Sequence, residues 1–180
     1  MNERVYNRGV DPLRLPERVS RLEVKRVVDN CLINGDTASV LDIGTGSGLF
    51  VEEFSKRGLS VAAIDPNPEM ILAAQNIIPG LDIRKASAEE VPFENNSFDL
   101  VFMGLVLHEV DNYSLAIKEA YRIAIKGVSI LEWEYREQDF GPPFAHRLQS
   151  TFIKELAEKT GFIKVEVIKL TNLILYKLYK

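Results

Sequence analysis

Apolar and polar positions follow two different periods, which alternate along most of the chain. Short apolar runs of the kind that form buried strands occupy residues 39–43, 60–64, 82–85, 98–103 and 128–133. Apolar residues at helical spacing predict helices over residues 16–32, 49–57, 68–78, 113–125 and 144–160. Asn67 and Pro68 suit a helix start, whereas Gly58 and Gly161 suit helix ends.

The last part of the sequence has a different pattern. Ile163, Val165 and Val167 alternate with polar residues, and a turn at residues 171–172 leads into LILYKLYK. Two strands joined by so short a turn must be antiparallel. The whole pattern predicts an α/β fold, a three-layer sandwich around a mostly parallel seven-stranded sheet that ends in an antiparallel hairpin. We expect a single domain over residues 1–180, with residues 1–30 as an N-terminal helical lid segment.

The composition excludes several classes of protein and several kinds of binding site. The chain has 180 residues, of which 46% are hydrophobic and 27% charged, with a net charge of −4, as in a globular protein with one core. The acidic balance argues weakly against a nucleic-acid partner. The single cysteine, Cys31, excludes an internal disulfide and a multi-cysteine metal site, and we expect it to be a buried small hydrophobe. We predict no metal site, and the absence of a signal-like or membrane-length apolar stretch leads us to expect a cytoplasmic protein without membrane contact.

A glycine-dense turn follows the first predicted strand, in the stretch VLDIGTGSGLF. Gly44, Gly46 and Gly48 would let the backbone turn sharply and let a ligand approach main-chain N–H groups. Leu49 stands where a dinucleotide fingerprint has its third small residue, and the Gly-Lys-Ser/Thr of a P-loop is missing. Asp42 would repel a pyrophosphate and attract a cation. The turn therefore favours a positively charged ligand over a polyanionic one, with glycines used only for tight packing as the alternative.

A second carboxylate further restricts the chemical class of the expected ligand. Asp65 ends the second predicted strand, 21 residues after Gly44, where an acidic side chain can accept hydrogen bonds from both hydroxyls of a ribose. A nucleoside with a cationic appendage and no phosphates fits both carboxylates, and S-adenosylmethionine has this composition. The alternatives are that Asp42 and Asp65 only cap nearby N–H groups, Asp65 doing so before Asn67.

Four motifs, in this order, resemble one family: VLDIGTGSG, AIDPNPEM, ASAEEVPF and NSFDLVFMGLVLHEVDN. They are similar to the class I S-adenosylmethionine-dependent methyltransferases, in particular the type-11 or ubiquinone-biosynthesis-like branch. The resemblance covers residues 38–134 and implies a Rossmann-like sheet, whose closing hairpin this family shares.

The resemblance also implies roles for individual residues. It places Asp42, Gly44, Thr45 and Gly46 around the methionine end of the cofactor, and Asp65 at the ribose. Asn67 and Met70 would lie near the adenosine, and Ser87, Ala88 and Glu89 would line the adenine. The stretch that begins at Leu105 and ends at His108 would lie over the cofactor, below the substrate. Ser87 departs from the family, which usually has an aspartate there, so that Glu89 or a main-chain group could serve the adenine instead. Met70 could equally be core.

Candidate acid–base residues follow the fourth and fifth predicted strands. His108 and Glu109 come directly after the fourth, and His108 is the predicted general base because the ordinary pKa of histidine lies near working pH. The alternative is that its ring only shapes the pocket. Glu132 and Glu134 end the fifth strand, where we predict that a carboxylate, Glu132, orients an acceptor; the alternative is that one of the pair points to water.

Two further polar residues follow in the stretch GPPFAHRL. His146 and Arg147 would lie at the start of a helix on the same rim, and we include His146 among the catalytic candidates. An Arg147 that is solvated on its helix is the alternative. Asp111 and Asn112 suit the N-terminal cap of the helix at residue 113 better than catalysis.

The N-terminal stretch carries four arginines, Arg4, Arg8, Arg14 and Arg18. They would form a basic lid suited to an anionic acceptor, or else an ordinary solvated face. Since little sequence remains for a substrate domain, we expect methyl transfer to a small molecule. The alternatives are a catalytically silent S-adenosylmethionine-binding module or regulatory subunit and, with less support, an RNA or protein methyltransferase. The sequence leaves the oligomeric state open.

Overall fold

The computed structural model describes residue 6, residues 9–32 and residues 36–180. Arg4 and Arg8 of the expected lid lie outside the described residues. The strands are β1 (Ser39–Ile43), β2 (Ser60–Asp65), β3 (Asp82–Lys85), β4 (Phe98–Gly104), β5 (Ala124–Trp133), β6 (Lys164–Lys169) and β7 (Leu173–Tyr179). The α-helices are α1 (Pro16–Arg21), α2 (Val24–Cys31), α3 (Leu49–Lys56), α4 (Pro68–Ile77), α5 (Tyr113–Ile123) and α6 (Ser150–Thr160). Single 3-10 turns lie at Asp11–Arg14, Leu107–Glu109 and Phe144–His146.

The seven strands form one sheet in the order β3-β2-β1-β4-β5-β7-β6. The pairs within β3-β2-β1-β4-β5 are parallel, whereas β7 runs antiparallel to both β5 and β6. This arrangement confirms the predicted mostly parallel sheet with a closing hairpin. The order reverses between β1 and β4, and open α/β sheets bind ligands beyond the carboxyl ends of the strands at such a point.

Apolar clusters cover both faces of the sheet, which gives the three predicted layers. On one face α5 and α6 pack through residues such as Ile117 and Leu156. On the other face α2 and α3 pack, and Phe50 and Phe54 contact the ring of Phe102 at centroid distances of 4.9 and 5.3 Å. Cys31 is fully buried in this second cluster, as predicted, and burial raises its pKa to about 12.

Four predicted boundaries were wrong: the extents of three helices, and the start of β5, which lies at Ala124 instead of residue 128. Glu23 adopts a left-handed backbone with φ +48°, which divides the predicted helix over residues 16–32 into α1 and α2. The predicted helix over residues 113–125 ends at Ile123, because Ala124 already pairs with Phe98 in the sheet. The predicted helix over residues 144–160 begins at Ser150, since a 3-10 turn and an extended stretch precede it. No helix in the described part of the chain is long and apolar enough to cross a membrane.

Candidate functional site

The glycine turn lies at the carboxyl end of β1 and leads directly into α3. Gly44, Gly46 and Gly48 have φ values of +69°, +54° and +76°. This left-handed region is costly for residues with a Cβ, so the turn depends on its glycines. The prediction of a sharp glycine turn between a strand and a helix is therefore confirmed.

Most of the main-chain N–H groups in this turn already have partners inside the protein. Gly44 and Thr45 donate to the carbonyl oxygen of Ile64 at 2.9 and 3.1 Å, and Gly48 donates to that of Thr45 at 3.0 Å. Gly46 donates to Asp65 Oδ2 at 2.8 Å. A phosphate-binding turn directs such N–H groups at its ligand instead. The geometry thus agrees with the sequence argument against a pyrophosphate at this turn.

Asp42 is a buried carboxylate directly beneath the turn. It lies within β1, is 1% exposed, and accepts a hydrogen bond from Thr45 Oγ1 at 2.7 Å. Burial raises its pKa to about 7, with the hydrogen bond from Thr45 opposing and the nearby charge of Asp65 adding to the shift. A cation placed beside Asp42 would favour its ionised form.

Asp65 connects the end of β2 to the glycine turn. Its Oδ2 accepts from Gly46, and its Oδ1 accepts from the N–H of Asn67 at 2.9 Å. Burial raises the pKa of Asp65, while these two main-chain hydrogen bonds lower it. Asp65 therefore does cap local N–H groups, but a carboxylate has about four lone-pair sites. Each oxygen keeps capacity for a further donor such as a ribose hydroxyl.

The residues expected beside an adenosine lie along the same edge of the sheet. Asn67 caps α4 by accepting from Glu69 N at 2.9 Å, and Met70 is buried one turn later. Beyond β3, Ala88 is buried, whereas Ser87 is exposed.

Glu89 has a structural partner as well. Its Oε1 accepts from the main-chain N–H groups of Asp111 and Asn112 at 2.9 and 3.3 Å. Asn112 in turn accepts from Leu115 N at 3.0 Å, which confirms its predicted role as the cap of α5. Glu89 thus ties the segment after β3 to the start of α5.

Leu105 holds an unusual backbone conformation directly after β4. Its φ is +63°, a value that residues with a side chain rarely adopt, and it is 8% exposed. Its N–H donates to the carbonyl oxygen of Leu131 in β5 at 2.9 Å, which fixes the turn. Backbone strain of this kind costs about 1–3 kcal/mol and often occurs at functional sites.

Three contacts around the glycine turn were not predicted from the sequence. Val106 packs on Gly44 so closely that a Cβ at that glycine would overlap its side chain. A Cβ at Gly46 would lie 3.4 Å from Leu13 Cδ1. Arg14 donates from Nε and Nη2 to the carbonyl oxygen of Ser47 at 3.1 and 2.8 Å. Since all three are long-range contacts, no local pattern could have revealed them.

The acid–base candidates after β4 and β5 meet in one cluster. Glu132 Oε2 lies 2.8 Å from His108 Nδ1, and Glu132 Oε1 accepts from the main-chain N–H of His108 at 3.0 Å. Both residues are buried, at 1% and 3% exposure. His108 Nε2 lies 3.7 Å from Glu109 Oε1. Burial raises the pKa of Glu109.

The remaining rim residues have other partners. Glu134 forms ion pairs with Arg136 at 2.5 Å and with Lys169 at 2.7 Å, and Lys169 lowers its pKa. His146 is half-buried in a 3-10 turn, on a different segment from His108. Among the described residues, no group of three or more His, Cys, Asp or Glu side chains is arranged to hold a metal ion.

Arg147 is a buried residue, and the reading of it as solvated on a helix was wrong. It is 4% exposed and its guanidinium donates to the carbonyl oxygens of Glu134, Arg136, Phe140 and Pro142 at 2.6–3.2 Å. It therefore fixes the loop after β5, where a charged donor among carbonyl groups replaces secondary structure.

A cleft of about 610 Å³ lies elsewhere, between the N-terminal helices and α3. Seven of its eleven lining residues are charged, among them Glu23, Arg26 and Lys56. Asp42, Asp65 and His108 are not part of it, so we place the functional site at the strand ends on the basis of chemistry and topology.

Comparison with known proteins gives three kinds of similarity. The family model described as "Methyltransferase domain" (type 11) matches residues 41–131. An uncharacterized methyltransferase of Mycobacterium tuberculosis is 33% identical over 123 residues, which are 68% of this chain and 46% of that protein. A demethylmenaquinone methyltransferase of Renibacterium salmoninarum is 31% identical over 103 residues, 57% of this chain and 44% of that protein.

Among solved structures, a SAM-dependent methyltransferase from Aquifex aeolicus has the same fold. The TM-score is 0.82 at 24% identity, with 94% of this chain and 96% of that chain covered. This chain spans about half the length of the curated relatives that it matches.

Proposed function

Because the chain belongs to the class I S-adenosylmethionine-dependent methyltransferases of the type-11 branch, we propose that it transfers the methyl group of S-adenosylmethionine to a small-molecule acceptor. When bound, the cofactor supplies a methyl group activated by its positively charged sulfur. The acceptor must be aligned with that methyl group and must give up any proton that its nucleophilic atom carries.

One observation is the main support for the proposal. Two buried carboxylates, Asp42 and Asp65, flank a glycine turn in which most main-chain N–H groups already donate to acceptors within the protein. A turn of this kind suits a ligand with cationic and hydroxyl groups better than one with phosphates. Asp42 would hold the cationic methionine end, and Gly44, Thr45 and Gly46 would line it. Asp65 would accept the ribose hydroxyls.

The adenosine would lie beyond β2 and β3. Met70 and Ala88, both buried at this edge, offer apolar contact with the base. Asn67, Ser87 and Glu89 supply nearby polar groups. Leu105, which is held in place by β5, would cover the cofactor from the side of β4.

The position of the N-terminal segment supports the proposal that it forms a lid over this site. Leu13 lies beside Gly46, where an added Cβ would be 3.4 Å from its Cδ1, and Arg14 donates to the carbonyl oxygen of Ser47 and pairs with Glu52 of α3 at 2.8 Å. We assign residues 1–30 to this lid within a single methyltransferase domain over residues 1–180. We retain the expectations of a small acceptor in place of a nucleic acid and of a cytoplasmic protein.

Formation of S-adenosylhomocysteine tests the proposal. The protein is incubated with methyl-tritiated S-adenosylmethionine and, in separate reactions, with metabolite, RNA and protein fractions of the source cells. We expect S-adenosylhomocysteine and labelled product only with the metabolite fraction, and much less of both with Asp65→Ala when S-adenosylmethionine is kept below the Kd of that variant. Label in RNA or protein alone would contradict the small-molecule acceptor, and no turnover with any fraction would contradict methyl transfer.

A further inference from the structure

The three acid–base groups of the cluster differ in their access to a ligand. The side chains of Glu132 and His108 are 1% and 4% exposed, whereas that of Glu109 is 24% exposed. Of these three, Glu109 alone presents its carboxylate beyond the packed interior. An acceptor over the strand ends would therefore meet Glu109 before it could meet the imidazole of His108.

Glu132 determines how the imidazole is oriented. Its two oxygens face the main-chain N–H and Nδ1 of the same residue, His108, at 3.0 and 2.8 Å. A carboxylate in this position favours a proton on Nδ1 and directs Nε2 the other way. Nε2 then faces Glu109 Oε1, at 3.7 Å.

We propose that Glu109 is the general base that receives the proton of the acceptor, and that Glu132 and His108 are positioning residues: Glu132 orients the imidazole, whose Nε2 faces the Glu109 carboxyl and can accept a hydrogen bond from it once it is protonated. This proposal rests on the methyltransferase function proposed above. It also changes the role predicted for His108, whose ring acts through Glu109 and does not touch the acceptor.

Groups from every neighbouring element act on Glu109. Burial makes its proton harder to lose, and the charges of Glu132 on β5 and Asp65 on β2 act in the same direction. The N–H of Tyr6, which donates to Glu109 Oε2 at 3.2 Å, acts in the opposite direction, as does the charge of Arg18 on α1. His108 acts in this direction too when its imidazole carries protons on both nitrogens and is positively charged. A carboxylate with a raised pKa is a stronger base than an exposed one, which suits proton abstraction.

The proton balance of the step is simple. The nucleophilic atom of the acceptor forms its bond to the methyl carbon, and the electron pair of the broken carbon–sulfur bond stays on sulfur, which becomes neutral. The proton on the nucleophilic atom moves to a carboxylate oxygen of Glu109 and then to water. The acceptor class is thus one that loses a proton from its reacting atom on methylation.

A spectroscopic test needs no acceptor. The chain has two histidines, so ¹⁵N-histidine labelling gives two imidazoles, which His146→Asn assigns. We expect His108 to carry a proton on Nδ1 and its Nε2 signal to show an inflection when Glu109 titrates. Glu109→Gln should remove that inflection, whereas Glu94→Gln, a change at an exposed glutamate before β4, should keep it. Glu132→Gln should alter the Nδ1 signal.

A kinetic test follows with the metabolite fraction as acceptor source. We expect Glu109→Gln to lower turnover by about 100-fold or more and to remove its rise with pH, while the Kd for S-adenosylmethionine changes less than about twofold. Glu109→Asp should restore part of the turnover, and Glu94→Gln should equal the native protein. Native turnover and pH profile in Glu109→Gln would overturn this proposal alone, whereas no turnover in the native protein would overturn the proposed function and this proposal with it.

Discussion

Gly46 donates its main-chain N–H to the Asp65 carboxylate at 2.8 Å, which joins the glycine turn after β1 to the end of β2. The same carboxylate accepts from Asn67 at the start of α4. A single side chain thus fixes the two segments that would face the two ends of an adenosyl ligand.

Replacement of Asp65 by Ala should weaken S-adenosylmethionine binding. Loss of hydrogen bonds from the ribose to a charged group corresponds to about 1.5–3 kcal/mol, or roughly 10- to 150-fold in Kd. Titration calorimetry of the variant measures it. Asp82→Ala is the matched control, because Asp82 is an exposed residue of β3 paired with Arg84. Equal affinity in native protein and Asp65→Ala would rule out the ribose assignment.

The buried state of Asp42 predicts binding that strengthens as the pH rises through neutrality. Burial raises the pKa of Asp42 to about 7 in the ligand-free protein, so the carboxyl holds a proton below that pH and is ionised above it. A bound ammonium group favours the ionised form, so binding releases a proton and affinity increases with pH.

Calorimetric titrations in phosphate and in Tris buffer count the released proton, because these buffers differ in ionisation enthalpy. Asp42→Asn is the control that subtracts protons from the ligand itself and from other groups. The same proton release in the Asn variant would show that Asp42 does not face the cation.

The contact between Gly44 and Val106 predicts a steric cost for any side chain at Gly44. Gly58 gives the comparison, since its φ is +80° and nothing lies within 4 Å of the place where its Cβ would be. Gly58→Ala should lower the free energy of unfolding by about 1–2 kcal/mol from backbone strain. Gly44→Ala should cost about 1–3 kcal/mol more, because the methyl group overlaps Val106.

Urea denaturation measures both variants. Combining Gly44→Ala with Val106→Ala should recover part of the additional loss, since the smaller side chain leaves room for the new methyl group. Equal losses for Gly44→Ala and Gly58→Ala would mean that Val106 moves aside freely.

Arg147 should be more important for stability than any arginine on the surface of the same loop. Arg147→Ala leaves several carbonyl groups of the loop without their donor, and we expect a loss of about 2–4 kcal/mol in unfolding free energy. Arg136→Ala removes a half-exposed ion pair and should cost about 1 kcal/mol or less. Limited proteolysis between residues 134 and 143 should accelerate in the first variant only; equal cleavage rates would argue against the role of Arg147.

The parts of this fold that depend on local patterns could be predicted from the sequence. The glycine turn, the Asn67 cap and the closing hairpin each follow from residue types at fixed spacing, and the structure has all three. The sequence could also predict that Asp42 and Asp65 lie at the same edge of the sheet, because the carboxyl ends of parallel strands meet there.

Features set by distant partners could not be predicted in this way. The early start of β5 depends on pairing with β4 and β7, and the left-handed Leu105 depends on a hydrogen bond to Leu131. The burial of Arg147 depends on the path of a loop. Glu109 followed His108 in the sequence, but only the difference in their exposure distinguishes their proposed roles.

Titration calorimetry of the native protein with S-adenosylmethionine, S-adenosylhomocysteine and NAD tests the central claim most directly. We predict micromolar binding of the two adenosyl compounds and no binding of NAD, because the turn offers carboxylates to a cation and little to a pyrophosphate. Binding of NAD without the adenosyl compounds, or of none of the three, would contradict the claim that Asp42, Asp65 and the glycine turn form an S-adenosylmethionine site.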